Sequence, residues 1–407
     1  MRLLFIYPQT HRAYYDDYYF LKFFNLYILR QKGDTKMKLT LTKEDLNKGL
    51  QTIAKIAQSK TNNLQSSNGF LLKALHNVIE IQANDYEMGI KTIVPGIIEE
   101  PGETFIANPY LIELIHKLPS DSVQLCKKDT DTKLLIIGGS VKFECATMNI
   151  SDFNEVEIVE SGYAQFTTNS IILKDLIDHT SFACSTNTER PIFMGTHLDV
   201  EKNRINMVAT DTHRLALKTY MSETPITTPI KVTIPSRLLM EISRNLPIDI
   251  PEPVTITAVR NYLAIRFSNV YIKTRLIEGE YPKYERVIPK DFQCTVTTDR
   301  AAFTSAVERV SLVVQNPQYN LIKFSFSQNQ IKLMSRHPDY GVVEDLVACD
   351  MTGEDLTISF NSKYILDLLK HCHEEKIIIN LRTQSPVLIK DKDDSSCVFV
   401  VTPMREK

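Results

Sequence analysis

Two short runs in this chain combine residue types that can move protons or hold metals. Ala209-Thr-Asp-Thr-His-Arg-Leu-Ala216 sets Asp211 two residues before His213, a pairing that would suit acid–base work in a hydrolase. His371-Cys-His-Glu374 offers imidazole, thiol and carboxylate, the donor types of a zinc site. Each has a plainer reading. Ala83-Asn-Asp-Tyr-Glu-Met-Gly-Ile90 repeats the first run, with Asp85 matching Asp211 and Glu87 replacing His213. The aspartate therefore reads as a turn former whose carboxylate binds local backbone N–H groups. On a helix, His371 and His373 would point about 200° apart and would not converge on one ion. With Lys370 they suit a helix C-terminus, where positive charge is favoured. The sequence predicts no catalytic residue, no metal and no cofactor. A hydrolase using Asp211 and His213 is the alternative.

The elements around these runs are written three times. Pro235-Ser-Arg-Leu-Leu-Met-Glu-Ile-Ser-Arg-Asn-Leu-Pro247 reads as a short amphipathic helix, with Leu238, Leu239, Ile242 and Leu246 on one face, Ser236 as N-cap and Pro247 as stop. Ala107–Pro119 and Asn361–His373 repeat the phrase about one small domain before and after it. Each copy also has an earlier helix: Leu46, Leu50, Ile53 and Ala57 behind a Thr42 cap; Ile171, Leu173, Leu176, Ile177 and Thr180; and Phe303, Val307, Val310 and Leu312 behind Thr298-Asp299. Between the helices lie strand signals at 78–90, His197–Val200, Ile205–Ala209, Leu321–Phe326 and Ile331–Met334. After each second helix come 134–145, with Gly138-Gly139 as its turn, then 262–273, and finally Val387–Lys390 with Cys397–Val401. The fold class is α+β: three tandem copies of a unit of two helices packed on antiparallel sheet. The predicted boundaries are 37–160, 161–290 and 291–407, with 1–36 as an extension. Within that extension Tyr18–Leu29 is apolar and aromatic, but too short to span a bilayer.

A hydrophobic share of 43% supports sizeable cores, and a net charge of −2 excludes a globally basic nucleic-acid binder. Residues 41–60 set Lys43, Lys48, Lys55 and Lys60 against Glu44 and Asp45. The helices are mildly positive on an acidic body, which suits loose phosphate contact without base reading. Seven scattered cysteines without CxxC spacing read as free thiols in a reducing cytoplasm.

Taken with Glu278-Gly-Glu-Tyr-Pro-Lys-Tyr-Glu-Arg-Val-Ile-Pro289 and Val400-Val-Thr-Pro-Met-Arg405, the Ala209 run resembles the bacterial DNA polymerase III beta subunit family, the sliding clamps. The likeness covers Met37 to Lys407. It implies the DNA clamp fold: two chains closed head to tail into a ring, helices lining the hole, and duplex DNA held by topology without sequence preference. It implies a non-enzymatic, cytoplasmic, nucleoid-associated processivity factor. Replicative polymerase, clamp loader and repair or ligation factors would insert a short linear motif between the second and third domains.

Carried over by this resemblance, the pocket would use Phe193, Thr210, Thr212, His213, Arg214 and Leu215 from the second domain. Pro282, Arg286, Val287, Tyr364, Val400, Thr402, Pro403, Met404 and Arg405 would complete it, with Arg190 and Asn361 at its edge. The dimer seam would join Phe143 and Cys145 to Leu312 and Val313. Lys48, Lys55, Lys60, Arg237 and Arg244 would face DNA. Thr212 stands where the family usually has Gly, implying an altered turn or a narrowed mouth. Thr402 and the Glu406-Lys407 end depart from apolar residues common there, and Thr61–Ser67 departs from the usual Arg- and Pro-containing loop.

Overall fold

Three polar residues, Thr42, Asn169 and Asp299, each end a strand and begin a helix. Their side-chain oxygens accept the N–H of Asp45 at 3.0 Å, Ile172 at 2.8 Å and Ala302 at 2.7 Å. Those N–H groups have no partner inside a first helical turn, so each cap fixes where its helix starts. The helices are α1 (Lys43–Ala57), α2 (Leu111–His116), α3 (Ser170–Asp178), α4 (Ser236–Asn245), α5 (Arg300–Ser311) and α6 (Ser362–Leu369). Each capped strand also pairs antiparallel with the strand that follows the second helix of its copy: Met37–Thr42 with Ser122–Lys127, Ala164–Asn169 with Pro253–Ala258, and Cys294–Asp299 with Lys376–Leu381. The repeat seen in sequence is thus a repeat of topology.

The structure, a computed structural model, describes residues 36–58, 69–75, 78–108, 110–128, 132–314 and 320–404. The proposed extension 1–36, apart from Lys36, lies outside them, as do the Thr61–Ser67 loop, Lys60, Arg405 and the Glu406-Lys407 end. Two compact units form. Among the described residues the first contains 36–51, 69–75, 78–81, 93–108, 110–128 and 132–153; the second contains 52–58, 82–92, 154–314 and 320–404.

In the first unit, strands Ile97–Glu100, Met37–Thr42, Ser122–Lys127, Lys133–Gly138 and Val141–Ala146 make one antiparallel sheet in that order. The turn of its last hairpin is Gly139-Ser140 rather than Gly138-Gly139. Gly138 pairs with Val141, and Gly139 takes the left-handed φ of +64° that a two-residue hairpin favours.

In the second unit a ten-stranded sheet runs without interruption from Gly195–Thr210 to Leu356–Asn361. Inside it, Cys397–Val401 pairs with Arg214–Pro235 on one side and Val387–Asp391 on the other. The core is likewise shared. Ala183, Ala209 and Ala216 belong to the same buried cluster as Phe303, Val307, Phe324 and Phe399. One buried cluster thus includes residues from both sides of the predicted 290/291 boundary. Helix α3 packs on α4, and α5 on α6.

Three further local expectations change. The two strands expected at His197–Val200 and Ile205–Ala209 are one strand, Gly195–Thr210, because a bulge with Lys202 at φ +56° carries the pairing through. Its partner, Arg214–Pro235, is 22 residues long, and its Pro225 and Pro229 fall where the register breaks. Ser236 is not an N-cap: α4 follows directly from Pro235 without a side-chain cap bond. Helix α6 stops at Leu369, so His371 and His373 are not on a helix, and the 200° argument does not apply to them. No helix among the described residues is long and apolar enough to cross a membrane.

Candidate partner-motif pocket

The turn between Gly195–Thr210 and Arg214–Pro235 is organised by Asp211. Its Oδ1 accepts the N–H of His213 at 3.0 Å and of Arg214 at 2.9 Å, and its Oδ2 takes the Arg214 Nε–H at 3.0 Å. The Thr210 hydroxyl accepts the Thr212 N–H at 3.1 Å and donates to the Arg214 carbonyl at 2.6 Å. Held this way, Thr212 adopts a φ of +77°, the left-handed conformation that glycine would take more easily. Thr212 thus occupies a backbone conformation that glycine favours. The first-copy turn repeats the arrangement: Asp85 Oδ1 accepts from Glu87 and Met88, Asn84 accepts from Tyr86, and Tyr86 sits at φ +69°.

Arg214 carries the turn into the rest of the site. Nη1 meets the Asp367 carboxylate of α6 at 2.8 Å, and Nη2 donates to the Phe182 carbonyl at 3.0 Å. The guanidinium also lies 4.9 Å from the Tyr364 ring centroid, and that ring stacks on His213 at 5.9 Å. The arginine side chain is only 11% exposed. With both Asp211 oxygens committed to the turn and to Arg214, the carboxylate is not positioned to orient the His213 imidazole as a base. The arrangement is that of a rigid corner.

Beside the corner lies an apolar floor. Leu215 pairs with Val400 across the sheet, and both belong to a buried cluster with Val208, Tyr281 and Tyr284, flanked by Ile192 and Ile288. Phe193 packs edge-on against Tyr281 at 6.2 Å, and Tyr281 stacks on His197 at 4.6 Å. The Tyr284 hydroxyl donates to Asp199 at 3.0 Å and accepts from Asn206 at 3.0 Å, which fixes the 284–286 turn under the floor. Burial lowers the His197 pKa to about 4, so the ring against Tyr281 is neutral at pH 7. The segment after Val401 is held at the mouth: Thr402 N–H donates to the His213 carbonyl and Met404 N–H to the Ser359 carbonyl, both at 2.8 Å. Val287 and Met404 stay about half exposed.

The predicted residues therefore divide. Thr210, His213, Arg214, Leu215, Tyr364, Val400 and Thr402 are linked directly by the contacts above, and Phe193 joins them through Tyr281. Asn361 caps α6, accepting from Lys363 at 2.9 Å. Arg190, Pro282 and Arg286 are exposed, and Pro403 is half-buried. Sequence reasoning missed Asp367, the counter-ion of Arg214, and the floor residues Tyr281 and Tyr284. The two tyrosines stood inside the quoted Glu278–Pro289 motif, and their spacing around Pro282 was the available signal.

Of the other expected sites, Leu312 is 65% exposed in a 3₁₀ turn beyond α5, Phe143 and Val313 are half-buried, and Cys145 is already buried within its own unit. Lys48, Lys55 and Arg244 are exposed, Arg244 pairing with Glu241. Arg237 is claimed by two carboxylates, Asp85 at 3.2 Å and Glu87 at 2.6 Å. His371 and His373 both neighbour the His179 ring, with centroids 6.1 and 4.9 Å away. Among the described residues no group of three or more His, Cys, Asp or Glu is arranged to hold a metal ion.

The sequence matches three successive domains of one family: the N-terminal domain of the DNA polymerase III beta subunit over residues 37–157, its central domain over 167–283 and its C-terminal domain over 285–405. The beta sliding clamp of Bacillus subtilis is 29% identical over 381 residues, covering 91% of this chain and all of that protein. The crystal structure of the Bacillus subtilis clamp superimposes with a TM-score of 0.86 at 27% identity, again over 91% of this chain and all of that one. A Pseudomonas aeruginosa sliding clamp bound to griselimycin gives 0.85 at 27% identity with the same coverage. Three tandem domains in family order, on this fold, place the chain in the DNA polymerase III beta subunit family, the bacterial sliding clamps.

Proposed function

We propose that two copies of this chain close into a ring around duplex DNA and tether the replicative polymerase. Clamp loader and repair or ligation factors would use the same motif pocket. The ring would hold DNA by enclosure, with exposed lysines of α1 giving loose phosphate contact, and no bond would be made or broken. Its setting would be the cytoplasm, on the nucleoid. The seam would use the exposed Leu312 with Phe143. Cys145, buried in the single chain, would support the seam strand from behind. The division into domains at 37–160, 161–290 and 291–407 is the corresponding architectural reading.

The observation that carries the pocket is the Leu215–Val400 pair within its buried apolar cluster, next to the Arg214–Tyr364–His213 stack, with the side chains of Met404 and Val287 left about half exposed. An extended peptide with two or three hydrophobic anchors fits such a surface. Fluorescence anisotropy with a labelled Gln-Leu-x-Leu-x-Phe peptide tests it. Saturable micromolar binding, abolished by truncation before Pro403, is expected. No binding to the intact, folded protein would sink the pocket reading.

A further inference from the structure

A cavity of about 620 Å³ opens between α3, α4 and the segment after α6, and none of the residues assigned to the motif pocket lines it. Its volume lies in the range of small-molecule sites, about 300–1,000 Å³. Four features define what it would accept.

The walls are apolar and partly wet. Ile171, Met240 and Ile248 line the cavity, and each leaves a large fraction of its side chain in water. Covering such surface is favourable by about 25 cal/mol per Å². The charged groups, in contrast, are already matched. Lys174 Nζ sits 3.2 Å from Asp178 and donates to the Ser243 hydroxyl at 2.8 Å, while Asp175 takes Lys218 at 3.2 Å and His179 at 2.9 Å. A ligand with net charge would find no unmatched counter-ion there.

Planar stacking is prepared. The Phe182 and His371 rings lie parallel, 4.1 Å apart and 10° from coplanar. Burial pushes the His371 pKa down to about 4, so the imidazole is neutral at pH 7 and offers both a donor and an acceptor. Finally, the Ser181 hydroxyl, on a residue 8% exposed, is buried without a hydrogen-bond partner. Such a group destabilises its surroundings until something bonds it.

We propose that this cavity binds a neutral, planar aromatic molecule carrying one hydroxyl or amide group, seated against Phe182 and His371 with its polar group toward Ser181. This site stands apart from the motif pocket and does not depend on the sliding-clamp reading.

The probe is 2-naphthol, whose fluorescence is read without interference because the chain contains no tryptophan. Titration into the full-length protein should show saturable binding in the micromolar range. 2-Naphthoate, the same ring system bearing a charge, should bind at least tenfold more weakly. Ile248→Asp, at an exposed rim position, should weaken 2-naphthol at least tenfold, and Ser181→Ala about fivefold. Thermal midpoint and far-UV circular dichroism of both variants serve as folding controls. Absence of saturable 2-naphthol binding up to millimolar concentration, equal binding of the naphthoate, or binding unchanged in both variants would each overturn the assignment.

Discussion

Arg214 and Asp367 lie 153 positions apart in the sequence and meet at 2.8 Å, and the same guanidinium holds Asp211 at 3.0 Å. One arginine thereby ties the turn of the candidate motif pocket to α6. Both carboxylates are well shielded from water.

Arg214→Ala should destabilise the second unit by about 3–5 kcal/mol, because it strands two shielded carboxylates. Asp367→Ala should cost less, since Arg214 keeps Asp211. Urea unfolding of the three proteins measures the difference. Equal losses for the two variants would contradict the hub.

Thr212→Gly should stabilise the protein by up to about 1 kcal/mol, since glycine adopts φ +77° without the strain of a β-branched residue, less the entropy it adds to the unfolded chain. Asp211→Ala should cost about 1–3 kcal/mol through lost turn and Arg214 bonds. Thermal unfolding reads both. A Thr212→Gly protein of lower stability would show that the threonine contributes more than its backbone angle suggests.

Acid should loosen the pocket floor. His197 has an ordinary pKa of 6.5 and a folded pKa of about 4, the shift coming first from burial. The folded state therefore disfavours the proton that the unfolded state accepts. The stability this group contributes is complete above pH 6.5 and is lost as pH falls from there toward 4. With the residue only 9% exposed the loss amounts to about 3 kcal/mol. His197→Gln, able to keep a bond to Thr233, should show a shallower decline over that window. Superimposable pH profiles would refute the assignment.

Glu87→Ala should free Arg237 from the nearer of its two carboxylates. If α4 faces DNA, the slope of log affinity against log salt should steepen by up to about one unit. DNA binding over a potassium chloride series measures it, and an unchanged slope would remove Arg237 from the DNA-facing set.

Helices were the most legible part of this chain, because apolar spacing and a polar cap are both local signals. Thr42 and Asp299 marked their helix starts correctly, and the turn role of Asp85 and Asp211 followed from comparing two copies of one run. Ser236 misled because a hydroxyl just before an apolar run looks like a cap even where proline delivers the chain straight into a helix. The long strand Arg214–Pro235 was invisible for a similar reason: Pro225 and Pro229 argue against a strand locally, and only the bulged register of the partner makes room for them. His371 and His373 were read on a helix that ends before them. The pocket's polar corner could not be assembled from spacing, since Asp367 reaches Arg214 only through tertiary packing.

The place of Cys397–Val401 between two earlier strands also bears on how the protein is made. Arg214–Lys218 leave the ribosome with one edge unpaired, and the segment that covers it is about 180 residues further along. At a synthesis rate of about 5–20 residues per second, that edge waits roughly 10–40 seconds. Val400 arrives with the covering strand, so the nascent protein lacks the floor of the proposed motif pocket until the sheet is closed. A chain still under synthesis would be spared from partners that read the pocket, and competence to recruit them would be acquired as the last step of folding.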